Sequence, residues 1–127
     1  MSDSEKSPVA VLVVEDEALI RMDASALIAE AGFVVYEAAS ADEAIQILER
    51  RKDIRLIFTD INMPGSMDGL KLAHYVRGRW PPVKIIVTSG LVKVQEKDMP
   101  AGAVFLKKPY RPEHIALKMR EMIGEAA

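Results

Sequence analysis

Apolar positions along the chain fall into two alternating kinds of run. Short, nearly unbroken and largely β-branched stretches lie at about 9–14, 33–38, 55–59, 83–88 and 103–106. Between them are longer segments in which apolar residues recur at helical spacing. Unbroken apolar runs suit strands covered on both faces, and strand–helix alternation is the pattern of βαβ units in a parallel sheet. The first helix is predicted from near Glu17 to Ala31, with Leu19, Met22, Ala26 and Ala29 as its repeat and Gly32 as its stop. The second starts at Ser40, with Glu43 in capping-box position and Ala41, Ala44, Ile45 and Leu48 as its inward stripe. The third covers roughly 69–79 and must end before Pro81-Pro82. The last starts near Pro112 and buries Ile115, Met119 and Met122. Between Gly90 and Ala103 the stripe fails, and Pro100 and Gly102 interrupt it, so only a short or mobile helix is expected there. Right-handed crossovers then lead to an α/β fold with a doubly wound, five-stranded parallel sheet in the order 2-1-3-4-5.

Composition narrows the class. The 127 residues suit one domain, placed at 9–127 after a polar lead-in at 1–8 that is expected to be disordered. An apolar content of 50% is enough for a core between two helical layers. The net charge of −2 gives no nucleic-acid footprint. The absence of cysteine excludes disulfides, thiol catalysis and zinc-thiolate sites. No apolar stretch approaches the roughly 18 residues of a membrane span, and the polar start lacks the apolar core of a signal peptide. A cytoplasmic protein, with no membrane insertion and no nucleic-acid partner, is the expectation.

Polar residues then stand out at the carboxyl ends of the predicted strands, where open α/β sheets collect ligands. Glu15-Asp16 follow the first strand, Asp60 the third, Ser89 the fourth and Lys108 the fifth. Adjacent carboxylates stay ionised most easily around a cation, and Mg²⁺, an oxygen-seeking ion, is the natural candidate. Acidic residues at a helix start, favoured by the macrodipole, are the plainer account of that pair. Asp60 ends an otherwise apolar strand and has the chemistry of a nucleophile that carries an aspartyl phosphate beside a metal. Asp68-Gly69 fits a cap and turn instead. Ser89 is the candidate hydroxyl, with Thr88 as the alternative. Lys107 competes with Lys108, since successive strand residues point to opposite faces. Lys108 is favoured because Pro109 fixes the chain after it, and a cis bond is open there.

These residues resemble the receiver domain of two-component response regulators, a flavodoxin-like (βα)5 fold, over essentially the whole chain. The match lies in Val13-Val-Glu-Asp16, Asp60-Ile-Asn-Met-Pro64 with Met67-Asp-Gly69, Ser89-Gly90, and Lys108-Pro109. The resemblance implies that Asp60 accepts a phosphoryl group from a phosphohistidine on a histidine kinase or histidine phosphotransfer protein. It implies Mg²⁺ held by Glu15, Asp16, Asp60 and the backbone carbonyl of Asn62. Ser89 and Lys108 would bind the phosphoryl group, and Phe105 would stand at the switch-aromatic position, where core packing is the equally simple account. A phosphate adds about −1.5 to −2 of charge and three acceptor oxygens, enough to repack a surface for a downstream protein. Two departures follow: Gly65-Ser66 lengthen the loop after Pro64, and the segment from Ser89 to Lys108 is short. Leu91 cannot orient a hydrolytic water, which leaves Asn62 and predicts slow to intermediate self-dephosphorylation, shortened by Leu91→Glu.

Nothing follows the last helix, so the expectation is a stand-alone receiver, monomeric or weakly dimeric, acting through a protein target or as a phosphate shuttle. It would catalyse only its own phosphorylation and dephosphorylation. The alternative is a degenerate interaction module of the same fold that is not phosphorylated. A phosphatase acting on outside substrates is disfavoured because Asn62 stands where its general acid would be. A flavodoxin-like cofactor site lacks its Gly/Ser/Thr-rich loop. His74 and His114 are isolated, and Arg50-Arg51-Lys52 reads as a solvated helix end.

Overall fold

The computed structural model describes residues 8–63, 65, 67–90 and 94–124. Pro64, Ser66 and Leu91, which entered the sequence argument, lie outside the described residues, as does most of the lead-in. The strands are β1 Ala10–Val14, β2 Val34–Ala38, β3 Ile54–Asp60, β4 Lys84–Ser89 and β5 Val104–Lys107. They pair in parallel in the order β2-β1-β3-β4-β5. Helices α1 Ala18–Glu30, α2 Ala41–Arg50, α3 Gly69–Arg79 and α4 Pro112–Ile123 complete the alternation.

The pleat divides the core in two. Leu12, Val14, Ile57, Ile85 and Val87 pack on α2 and α3 through Leu48, Leu72 and Val76. Val11, Val13, Phe58, Ile86 and Leu106 pack on α1 and α4 through Ile28, Ile115 and Met119. Both faces of β1, β3 and β4 are buried, which is why these strands read as continuous apolar runs. In β3 the exception is exposed Arg55, which sits where the β1–β3 register shifts by one residue and so escapes the layer.

The caps follow the sequence. The Ser40 side chain accepts from Glu43 N at 3.1 Å, and the Glu43 carboxylate reaches back to Ala39 N at 2.6 Å. Asp68 caps α3 by accepting from Lys71 N at 2.9 Å. Pro112 opens α4, and Gly124 closes it with φ +81°, a left-handed cap suited to glycine.

One expectation needs correction. The repeat Leu19, Met22, Ala26, Ala29 faces outward: Leu19 is 77% and Met22 58% exposed. The buried residues of α1 are Ala24, Ser25 and Ile28. Helix α1 carries apolar residues on both sides, so periodicity alone could not choose the inner one. Between β4 and β5 the expectation of a short helix agrees with the structure: among the described residues it is a single 3-10 turn, Glu96–Asp98. Side chains of α3 hold that segment down: His74 Nε2 lies 2.8 Å from Asp98 O, and Arg77 Nε donates to Ala101 O at 2.9 Å.

Candidate functional site

The carboxyl ends of β1 and β3 and the segment after β5 converge on a cleft of about 230 Å³. Glu15, Asp16, Asp60, Asn62 and Lys108 all line it. The carboxylates arrive there by strand order: β1 and β3 are central neighbours, so the residues following Val14 and ending β3 stand side by side. Glu15 and Asp60 are both 5% exposed, a depth at which carboxylates need partners.

Lys108 supplies one. Its Nζ lies 3.0 Å from Asp60 Oδ1 and 3.4 Å from Glu15 Oε1. Lys107 is exposed and part of β5, so alternation assigns the cleft to Lys108. The Lys108–Pro109 bond is cis. Burial pulls the Lys108 ammonium down, but the hydrogen bond to Asp60 and the charges of Asp60 and Glu15 outweigh it and hold the group above its ordinary value.

Glu15 is also held above its ordinary value, which for a carboxylate favours the neutral form. Burial pushes it up; the backbone N–H of Glu17, donating at 3.1 Å, opposes that, while the Asp60 charge adds to it and Lys108 subtracts. Among the described residues, Lys108 is the cation within 4 Å of both Glu15 and Asp60 carboxylates. One oxygen from each of Glu15, Asp16 and Asp60 falls within 4.8 Å of the others, an all-oxygen set that fits a hard divalent cation.

The hydroxyl is placed less directly. The buried Ser89 Oγ donates to Asn62 Oδ1 at 3.1 Å, so Ser89 touches the cleft through Asn62 rather than lining it. Thr88, in register with Asp60, has a buried Oγ1 with no hydrogen-bond partner among the described residues. Phe105 is half-buried, in register with Val87, and packs in the α2–α3 layer.

Sequence reasoning missed two supports. Arg21 donates to the Glu15 carbonyl at 2.7 Å and pairs with Glu37 at 3.1 Å, fixing the end of β1 from inside α1. Gly69 lies against the end of β3: a Cβ there would sit 1.8 Å from Asp60 O. The Met-Asp-Gly motif was a signal for Gly69, though it was read as a turn; nothing in the sequence flagged Arg21.

The response regulator receiver domain model matches residues 11–120 of the chain. The chain belongs to the response regulator receiver domain family. Among curated relatives, this receiver is 35% identical over 117 residues to the sensor kinase CckA of Brucella abortus, covering 89% of this chain and 12% of that protein. It is 35% identical over 106 residues to the transcriptional regulatory protein PdtaR of Mycobacterium tuberculosis, covering 81% of this chain and 51% of PdtaR. The receiver thus spans about half or less of these relatives. Among solved structures, the receiver domain of the hybrid histidine kinase CckA superposes with TM-score 0.75 at 31% identity, over 90% of this chain and 98% of that one. A CheY-like receiver from Methanospirillum hungatei superposes with TM-score 0.83 at 26% identity, over 94% and 96%. Receiver domains bind Mg²⁺ at an acidic pocket and interact with histidine kinases or phosphotransfer proteins; this chain carries an acidic cluster of Glu15, Asp16 and Asp60.

Proposed function

We propose that this receiver takes a phosphoryl group onto Asp60 from the phosphohistidine of a histidine kinase or histidine phosphotransfer protein, and signals by protein contact. The observation that carries the reading is Asp60, held in the acidic cluster with Lys108 Nζ at 3.0 Å. A carboxylate oxygen of Asp60 attacks phosphorus as the P–N bond to the donor breaks, and the electron pair stays on the imidazole nitrogen. The product is an acyl phosphate. Glu15, Asp16, Asp60 and the Asn62 carbonyl would hold Mg²⁺, which when bound offsets charge and orients the phosphoryl oxygens. Lys108, already on Asp60 Oδ1, is within reach of the new phosphoryl oxygens. The Ser89 hydroxyl exchanges Asn62 for one of them. Movement of Ser89 at the end of β4 would then be passed to Phe105 on neighbouring β5. The test is intact-mass spectrometry after incubation with acetyl phosphate. The expected result is Mg²⁺-dependent gain of one phosphoryl group. Failure with both acetyl phosphate and a phosphorylated kinase would favour the unphosphorylated interaction module.

Metal binding gives a pH signature. Because Glu15 holds its proton more tightly than an ordinary carboxylate, acid competes with the cation from a higher pH. A saturating cation at about 100 times its Kd adds about 2.7 kcal/mol of stability. The thermal shift caused by Mg²⁺ should therefore shrink on acidification, starting above the pH range in which an ordinary carboxylate takes up its proton. Glu15→Gln should weaken that shift and flatten its pH dependence.

The outward face of α1 lies beside the cleft, since Ile20 lines it, and exposes Leu19 and Met22. Large exposed apolar side chains next to a reaction site mark a docking face. Leu19→Glu with Met22→Glu should slow transfer from a phosphorylated donor protein by about tenfold or more. The rate with acetyl phosphate should stay unchanged. Equal slowing with both donors would refute the docking role.

A further inference from the structure

A second cavity of about 560 Å³ opens between α1 and the segment after β5. Its walls are apolar: Ile20, Ala24 and Leu27 on one side, Pro109 and Tyr110 on the other. Tyr110 is propped edge-on against Phe58, with ring centroids 5.7 Å apart. Ile20, Gly90 and Lys108 line both this cavity and the acidic cleft, so the two share a seam at the Lys108 side chain. Gly90 lies at this seam, beside the Lys108 side chain.

We infer that this cavity is a leaving-group subsite for phosphodonors whose leaving group carries an apolar body, such as an aromatic acyl phosphate. Charge sets the orientation of such a ligand. Its phosphoryl end belongs at the seam, where Lys108 and the cation site lie. Among the described residues of the lining, Asp23 is the charged side chain besides Lys108; it repels an anion and leaves the space to an uncharged ring. A single phenyl ring suits walls built from aliphatic side chains, a proline and a tyrosine ring. With benzoyl phosphate as donor, the bond between the acyl oxygen and phosphorus breaks and a bond from Asp60 oxygen to phosphorus forms. Benzoate leaves with the electron pair, and no proton or other reactant is needed. Benzoate and acetate are leaving groups of similar basicity, so a rate difference between their acyl phosphates reports on binding rather than on intrinsic reactivity.

The inference rests on Asp60 as phosphoacceptor, and the experiment separates the two. Second-order rates of Mg²⁺-dependent phosphorylation are measured with acetyl, butyryl and benzoyl phosphate. The wild type should rise along the series, reaching about tenfold with benzoyl phosphate, the gain expected from partial burial of a ring. Ala24→Leu, which fills the cavity, should bring benzoyl phosphate down to the acetyl phosphate rate and leave the latter within about twofold. If that variant does not fold, Leu27→Asn, which puts a polar group in the wall, should act in the same direction. A flat series in the wild type overturns the subsite while Asp60 chemistry stands. A benzoyl preference that survives both substitutions also overturns it. Inertness toward every donor overturns the phosphoacceptor reading and the subsite with it.

Discussion

Asp60→Asn should abolish phosphoryl uptake, lowering the rate by about a thousandfold or more, because an amide oxygen does not replace a carboxylate nucleophile. The fold should survive. Asp60 stands at the mouth of the sheet, and the substitution removes one of three neighbouring negative charges, relieving the repulsion that helps to push Glu15 up. Lys108 keeps Glu15 as a partner at 3.4 Å. Without cation, the variant should therefore melt at or above the wild-type temperature. Its Mg²⁺-induced shift should be largely lost, since a ligand oxygen with full charge is gone. A variant that melted well below the wild type would mean that the Asp60–Lys108 pair is a structural staple, and loss of phosphorylation could then not be assigned to chemistry alone. Calorimetry with and without Mg²⁺ reads both effects.

Gly69→Ala should be the most damaging small substitution near the site. The added Cβ would lie 1.8 Å from Asp60 O, 2.7 Å from Asp60 C and 2.9 Å from Ile61 Cα. All three are backbone atoms, so nothing flexible can yield. Either the start of α3 or the end of β3 must move, and Gly69 N, which donates to Ile61 O at 3.0 Å, loses its partner. A cost of about 3 kcal/mol or more is expected, near the upper end for overpacking. That corresponds to a fall in Tm on the order of 10 °C for a chain of this size. Because the displaced group is the Asp60 backbone, phosphorylation should slow as well. Gly78, in the same helix, is the control. A Cβ there meets nothing within 4 Å, and Gly78→Ala should stabilise by about 0.5–1 kcal/mol through helix propensity. Equal behaviour of the two variants in thermal melts would show that the contact under Asp60 is not what requires glycine.

The strand order and the residues that gather at the strand ends were legible because both depend on local signals. Unbroken apolar runs mark buried parallel strands, and crossover handedness then orders them. A polar residue ending such a run must leave the core at the sheet's edge, which placed Asp60, Ser89 and Lys108 at one end. Alternation with a fixing proline favoured Lys108 over Lys107, and Lys108 is the one on Asp60. The interruption at Pro100 and Gly102 marked the short helix, a 3-10 turn at Glu96–Asp98 among the described residues. What stayed hidden was contact across sequence distance. Nothing local shows that Gly69 lies under Asp60, that Arg21 grips the Glu15 carbonyl, or that His74 and Arg77 bind the segment before β5. The inner face of α1 was misjudged for a related reason. Ala24 and Ile28 repeat as well as Leu19 and Met22 do, and only the neighbouring layer, where Ile28 joins Phe58 and Met119, selects between them.

Chemical mapping of the phosphorylated residue tests the central claim most directly. Borohydride reduces an acyl phosphate to the alcohol, so a phosphorylated aspartate becomes homoserine and can be located by peptide mass spectrometry. After Mg²⁺-dependent phosphorylation, homoserine should appear at position 60 and at no other acidic residue. Homoserine elsewhere, or a phosphorylated protein with Asp60 unchanged, would contradict the account.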